Sequence, residues 1–381
     1  MQEKDLKSGN MDKIGNDKMI KLDSPRVWRT YTGGRRLNRL HGNCDGKVSQ
    51  YPEEWIMSVV NARNAGISSE QEDGMNHLPD YDNQTLKALI ESAPYYYLGE
   101  KHVEKYGSFP GVLVKIIDSA ERLTVQVHPD REMARRLFGS EYGKTECWHI
   151  LDDTPVRGVK PYVYMGFKPG ITKERWKELF FHQDVNGMLN AMHKIEVKKG
   201  DTILIKGGVP HAIGEGCFLM EIQEPTDYTI RVERVTPRGF VIDDGMCHQG
   251  IGFEKMFECF SYKGVTCEEA LEKWFVRPNV QSEMPGGRIV TLIGYDSVPF
   301  FQLERIEVTD KLAVNEVDRF SGIYILKGKG KIISKGNVRK VEAGEQFFLP
   351  AGVGMWEAEA DKENSLMIMR FMGPELREMQ D

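Results

Sequence analysis

Nowhere in the 381 residues does an uninterrupted apolar stretch approach the ~20 residues a membrane-spanning helix needs. The first 21 residues are polar and charged, with no apolar segment of the kind a secretory leader carries, so a cytoplasmic protein is expected. Cysteine is sparse. The six present (Cys44, Cys147, Cys217, Cys247, Cys259, Cys267) contain no C-x-x-C pair, which excludes the common zinc-ribbon and thioredoxin-like patterns and points to reduced, mostly buried thiols. A basic excess is missing too: a net charge of -6 and a pI near 5.9 argue against a nucleic-acid binder. A small anionic ligand remains compatible, because a few enclosed Lys and Arg side chains make a local positive pocket in an acidic protein.

The bulk composition, 40% hydrophobic and 28% charged, is that of an ordinary globular chain, and 43.5 kDa exceeds one typical domain, so two packed units are expected. No composition signal calls for an obligatory protein partner. Residues 1–22 are Lys, Asp, Gly and Asn rich without periodicity and read as a mobile tail. From residue 112 short β-rich runs dominate, at 112–117, 123–128 and 147–151, the pattern of a sandwich or barrel. The stretches 172–181 and 185–192 read as helices, a small insert at about 168–194 in the first β unit. Another short helix at 267–275 precedes a Pro- and Gly-containing link from 277 to 287. The boundaries expected are therefore 23–275 for an N-terminal domain and 276–381 for a C-terminal one.

A weak internal repeat supports the duplication. The run Val197-Lys-Lys-Gly-Asp-Thr-Ile-Leu-Ile-Lys-Gly-Gly-Val-Pro-His211 aligns at constant offset with Val341-Glu-Ala-Gly-Glu-Gln-Phe-Phe-Leu-Pro-Ala-Gly-Val-Gly-Met355. A turn glycine, an apolar strand and a second turn recur, as in one hairpin of each of two similar barrels. His211 in the first copy faces Met355 in the second, so a metal site is expected in the first barrel alone.

Four residues carry metal-binding chemistry. Gln126 and His128 lie two apart on a strand pattern and so share a face; Glu146 shares a face with Trp148; His211 follows at a strand end. Two imidazoles, a carboxylate and an amide oxygen form an N/O set suited to one Zn²⁺ with an open position. Singly, each would read as a structural histidine or a surface acid. Lys115 sits amid apolar residues on a β run, where an ammonium is costly to bury without a role, and Glu221 stands in an apolar strand, a setting that raises a carboxyl pKa toward that of a general base. Two other segments read as inert: 327–331 (Lys-Gly-Lys-Gly-Lys) lacks a phosphate-loop spacing, and Tyr95-Tyr96-Tyr97 reads as packing.

In order along the chain, Leu123-Thr-Val-Gln-Val-His-Pro-Asp130, Gly143-Lys-Thr-Glu-Cys-Trp148, Gly208-Val-Pro-His-Ala-Ile-Gly214 and Glu221-x5-Asp227-x3-Arg231 resemble successive signatures of the type I mannose-6-phosphate isomerases of the cupin superfamily. The resemblance runs from about residue 25 to 231, with the C-terminal part similar only in general shape. It implies a mainly β fold of two cupin-type jelly-roll barrels with a helical insert in the first. It also implies zinc held by Gln126, His128, Glu146 and His211, and a sugar-phosphate site lined by Lys115, Lys144 and Arg231, with Asp227 placed to orient Arg231. The implied activity is zinc-dependent aldose–ketose isomerisation of mannose 6-phosphate to fructose 6-phosphate through an enediolate. An isomerase of another sugar or sugar phosphate, an Fe²⁺ cupin oxygenase and a non-enzymatic sugar sensor are the alternatives on the same scaffold. Residues 232–239 and Asp243-Asp244 depart from the family pattern.

Overall fold

The computed structural model describes residues 18–43, 46–64, 72–315, 318–362 and 365–377. Cys44 and residues 1–17 of the expected tail lie outside them. The rest of that tail is not loose: Ile20–Leu22 is a strand paired antiparallel with Gln346–Leu349. The tail expectation therefore extends too far, because Ile20 and Leu22 are apolar residues two apart that bury against the C-terminal half.

Four antiparallel sheets stack as successive layers, and strand alternation decides what each layer touches. The outermost N-terminal sheet has five strands, including Gln126–Val127, His211–Ile213 and Ile230–Arg231. Against it packs a six-stranded sheet containing Glu53–Ile56, Leu113–Asp118, Glu146–Asp152 and Phe218–Gln223. A seven-stranded and then a four-stranded sheet complete the C-terminal half. Along Glu146–Asp152, Trp148 and Ile150 enter the core between the two N-terminal sheets, whereas Cys147 and Leu151 enter the core shared with the seven-stranded sheet. Along Phe218–Gln223 the same period of two sends Met220 and Ile222 to the shared core and Glu221 to the inner face. A one-residue slip in either strand would exchange a charged set for an apolar one, so burial on both faces fixes the register.

Both copies of the repeat form a strand, Thr202–Ile205 and Gln346–Leu349. Each follows a glycine of positive φ, 95° at Gly200 and 92° at Gly344, a conformation that disfavours any side chain. The helical insert appears as Lys173–Phe181 and Val185–Asn190, and the later helix as Cys267–Trp274, closed by a Thr266/Glu269 capping box. The link expected at 277–287 is instead a strand, Asn279–Met284, hairpinned onto Gly287–Ile293. Its residues are largely exposed edge residues, so no alternation of burial marked it. The strand expected at 123–128 is regular only over Gln126–Val127. Three helices between residues 86 and 106 were not anticipated; they cover the shared core with Leu86, Leu89, Ile90, Tyr97 and Leu98. Among the described residues no helix is long and apolar enough to cross a membrane. Of the described cysteines, Cys147, Cys217, Cys247 and Cys259 are free and buried and Cys267 is free and exposed.

Candidate active site

The inner faces of the two N-terminal sheets bring the four expected ligands together. Gln126 pairs across strands with both His211 and Arg231, placing the three side by side on one sheet. Glu146 enters from the opposite sheet. Its Oε2 lies 3.1 Å from His128 Nε2 and its Oε1 3.3 Å from His211 Nε2. The Gln126 amide is 3.2 Å from His211 Nε2, and turning that amide over puts its oxygen in the same place. His128, Glu146 and His211 are all buried and form a metal-type group, the one such cluster among the described residues.

The hydrogen bonding around these atoms tests whether a cation fits. His128 Nδ1 lies 2.8 Å from the Tyr228 carbonyl and His211 Nδ1 2.8 Å from that of Val209, so each ring donates there and turns an Nε2 lone pair toward Glu146. Burial lowers both imidazole pKa values, that of His128 to about 3, so these rings are neutral. Burial alone would raise Glu146, but Lys144 and the two imidazoles hold it well below the usual carboxylate range. Neither Glu146 oxygen accepts a well-directed hydrogen bond. Lys144 Nζ, 3.0 Å from His128 Nε2 and 3.3 Å from Glu146 Oε2, supplies one positive charge. One ammonium cannot satisfy two imidazole lone pairs and both carboxylate oxygens. The donor set therefore fits a metal ion.

A second network adjoins the first. Lys115 Nζ is 3.3 Å from Glu221 Oε1 and 3.9 Å from both Glu53 and Asp227. Arg29 pairs with Glu53 at 2.9 Å and Asp227 at 3.2 Å. Tyr31 and Trp55 also donate to Glu53, at 2.7 and 2.8 Å. Against the pull of burial, Arg29 and Lys115 bring Glu53 down to about 2. Glu221 goes the other way: burial and the neighbouring Glu146 charge raise its pKa, while Lys115 pulls it back. Trp148 Nε1 donates to Glu221 Oε2 at 3.0 Å. Gln126, Lys115, Lys144, Glu221, Asp227, Thr229 and Arg231 line a chamber of about 40 Å³. Asp227 also lines an adjoining open cleft of about 760 Å³.

One expected contact is absent. Asp227 does not hold Arg231 by an ion pair; its carboxylate is bound to Arg29 and the Arg63 backbone N–H, and Arg231 donates to the carbonyls of Thr229 and Met246 at 3.2 and 3.1 Å. Lys115 lines the chamber, with three carboxylates around its ammonium. Arg29 and Glu53 were not among the expected site residues; Glu53 and Trp55 lie two apart on the strand Glu53–Ile56 and so share a face, while Arg29 gave no signal.

The segment carrying Lys144 and Glu146 is braced from outside. Glu224, fully buried, accepts from the Thr145 N–H at 3.0 Å and from Arg131 Nε at 2.6 Å. The Arg131 guanidinium lies 3.9 Å over the ring of Phe300, which the C-terminal half contributes. Arg131→Ala is expected to cost about 1–3 kcal/mol, discounted because the Arg131 side chain is 30% exposed, and to weaken metal retention about tenfold. Denaturant titration and a chelator competition measure the two effects.

Stacked antiparallel sheets enclosing a buried His/Glu/His group beside cationic and acidic side chains define a mainly β protein with a candidate metal site. Two stretches of the chain are similar to the type I phosphomannose isomerases. Residues 74–145 match the phosphomannose isomerase type I catalytic domain, and residues 293–364 the mannose-6-phosphate isomerase cupin domain. The "Probable mannose-6-phosphate isomerase GmuF" of Bacillus subtilis is 28% identical over 258 residues, 67% of this chain and 73% of that one. The mannose-6-phosphate isomerase of Streptococcus mutans is 26% identical over 280 residues, covering 72% and 80%. In fold, the chain resembles the crystal structure of mannose 6-phosphate isomerase from Bacillus subtilis, with a TM-score of 0.72 at 20% identity over 93% of this chain and 99% of the other.

Proposed function

We propose that the protein is a zinc-dependent aldose–ketose isomerase interconverting mannose 6-phosphate and fructose 6-phosphate. The observation that carries this reading is a metal-type cluster that touches, through Gln126 and Lys144, the lining of a small chamber also lined by Glu221, a carboxyl of raised pKa fixed by Trp148 and Lys115. The named relatives support the sugar. Gln126, His128, Glu146 and His211 would hold the ion, and the mixed N/O donor set suits Zn²⁺. When bound, the ion supplies Lewis-acid stabilisation of negative charge developing on a sugar oxygen.

The remaining steps belong to the side chains. Isomerisation removes the proton from C2 of the aldose, leaves an enediolate, passes the O2 proton to O1 and returns a proton to C1, leaving the ketone at C2. Glu221 as carboxylate takes the C2 proton; its raised pKa brings it nearer the optimum for a base working at neutral pH. Lys144 and Arg231, both lining the chamber, hold the sugar oxygens on which charge accumulates. Four cations (Arg29, Lys115, Lys144, Arg231) face four acids (Glu53, Glu146, Glu221, Asp227), so a divalent ion makes the site net positive, complementary to a phosphate dianion. A small-molecule sugar phosphate is accordingly the partner proposed.

The test is turnover by the purified, metal-analysed protein against a panel of hexose and pentose phosphates. Mannose 6-phosphate is expected to be preferred, with one zinc per chain. Oxygen uptake with bound iron would instead favour the oxygenase chemistry open to this scaffold.

A further inference from the structure

A chamber of about 40 Å³ is far below the ~300–1,000 Å³ of an ordinary small-molecule site, so most of a hexose phosphate has to lie in the adjoining cleft of about 760 Å³. None of the chamber's cations lines that cleft. Arg29 and Lys115 are bound to carboxylates, Lys144 to His128 and Glu146, and Arg231 donates to two backbone carbonyls. Among the described residues, Arg63 is the one basic side chain lining the cleft. Its backbone N–H is anchored on Asp227 Oδ2 at 2.8 Å, and its guanidinium lies 4.7 Å from the centre of the Tyr228 ring. No carboxylate pairs with that guanidinium among the described residues. Tyr228 is itself tied to the metal-type cluster, because its carbonyl accepts from His128 Nδ1.

We infer that Arg63 forms the phosphate subsite of the substrate cleft, with its guanidinium fork, oriented by stacking on Tyr228, receiving the phosphate of a sugar whose reacting end reaches the chamber. This rests on the isomerase reading above and adds to it the residue that distinguishes a phosphorylated sugar from a free one. A stacked guanidinium loses little freedom on binding and presents paired N–H donors to phosphate oxygens. The cleft's two acids do not oppose it equally. Asp227 is neutralised by Arg29, and Asp243 accepts the Met246 N–H at 2.7 Å as the cap of the helix Asp244–His248.

The experiment compares the native protein with Arg63→Ala and Arg63→Lys, in steady-state kinetics on mannose 6-phosphate and mannose and in calorimetric titration with inorganic phosphate. Arg63→Ala is expected to raise KM for mannose 6-phosphate by about ten- to a hundredfold, with the loss in KM rather than kcat, and to weaken phosphate binding in parallel. Arg63→Lys should recover only part of it. Arg63 is exposed, so melting temperatures are expected to match and folding loss does not confound the comparison. Unchanged KM and phosphate affinity in Arg63→Ala overturn the subsite. If the native protein turns over no sugar phosphate yet binds phosphate through Arg63, the isomerase reading fails while the anion subsite stands.

Discussion

Replacing His211 by alanine is expected to release the single equivalent of metal from the protein and to lower kcat/KM by about three decades or more. His211 is fully buried and turns its Nε2 toward Glu146, so its loss removes one donor of the proposed metal site. Lewis-acid stabilisation is worth several kcal/mol, and each 1.36 kcal/mol is a decade in rate. Met355, its counterpart in the internal repeat, is 64% exposed and borders a C-terminal core filled by Ile323, Ile325, Phe347 and Trp356. Met355→Ala should therefore keep the metal, the activity and the stability within about 0.5 kcal/mol. Elemental analysis of both variants, with circular dichroism to verify folding and His211→Gln as a variant closer in volume, decides the matter. Two equivalents of metal in the native protein, or one retained by His211→Ala, would contradict a single N-terminal centre.

The contrast between His211 and Met355 shows why this site was readable before any coordinates. Metal ligands are few residue types in a fixed order on strand ends, and the residues around Gln126, His128, Glu146 and His211 carry that order in short local motifs. Glu221 and Lys115 stood out as charges amid apolar strand residues, and the structure pairs them across neighbouring strands. Arg29, Glu53 and Arg131 were not readable in the same way. Their partners are remote in sequence, Arg29 with Asp227 and Arg131 with Glu224, and only the stacking of sheets brings them within contact. The same holds for Ile20–Leu22, whose partner strand lies at the far end of the chain. Burial patterns reveal which residues face inward, while charge pairing between distant strands is written only in the fold.

Glu221 is the residue on which the proton-transfer assignment turns, and Glu221→Gln is expected to lower kcat by about two to four decades while leaving KM and metal content nearly unchanged. The substitution is nearly isosteric, and the amide oxygen still accepts from Trp148 Nε1, now 3.0 Å from the carboxylate. Lys115 keeps Glu53 and Asp227 as counter-charges, so no ammonium is stranded in the interior. What disappears is basicity at the chamber wall. The native enzyme should also lose kcat/KM as pH falls through a value above the ordinary carboxylate range, because burial and Glu146 raise the Glu221 pKa and only the ionised form accepts a proton. That limb should be absent from the residual activity of Glu221→Gln. A supporting residue would give a different pattern: loss of metal would mark Glu221 as a brace for Glu146, and an unchanged kcat would leave the carboxylate as a counter-ion for Lys115. Exchange of the C2 hydrogen of mannose 6-phosphate with solvent deuterium separates these cases directly, since a base that takes the C2 proton controls that exchange and a brace or counter-ion does not.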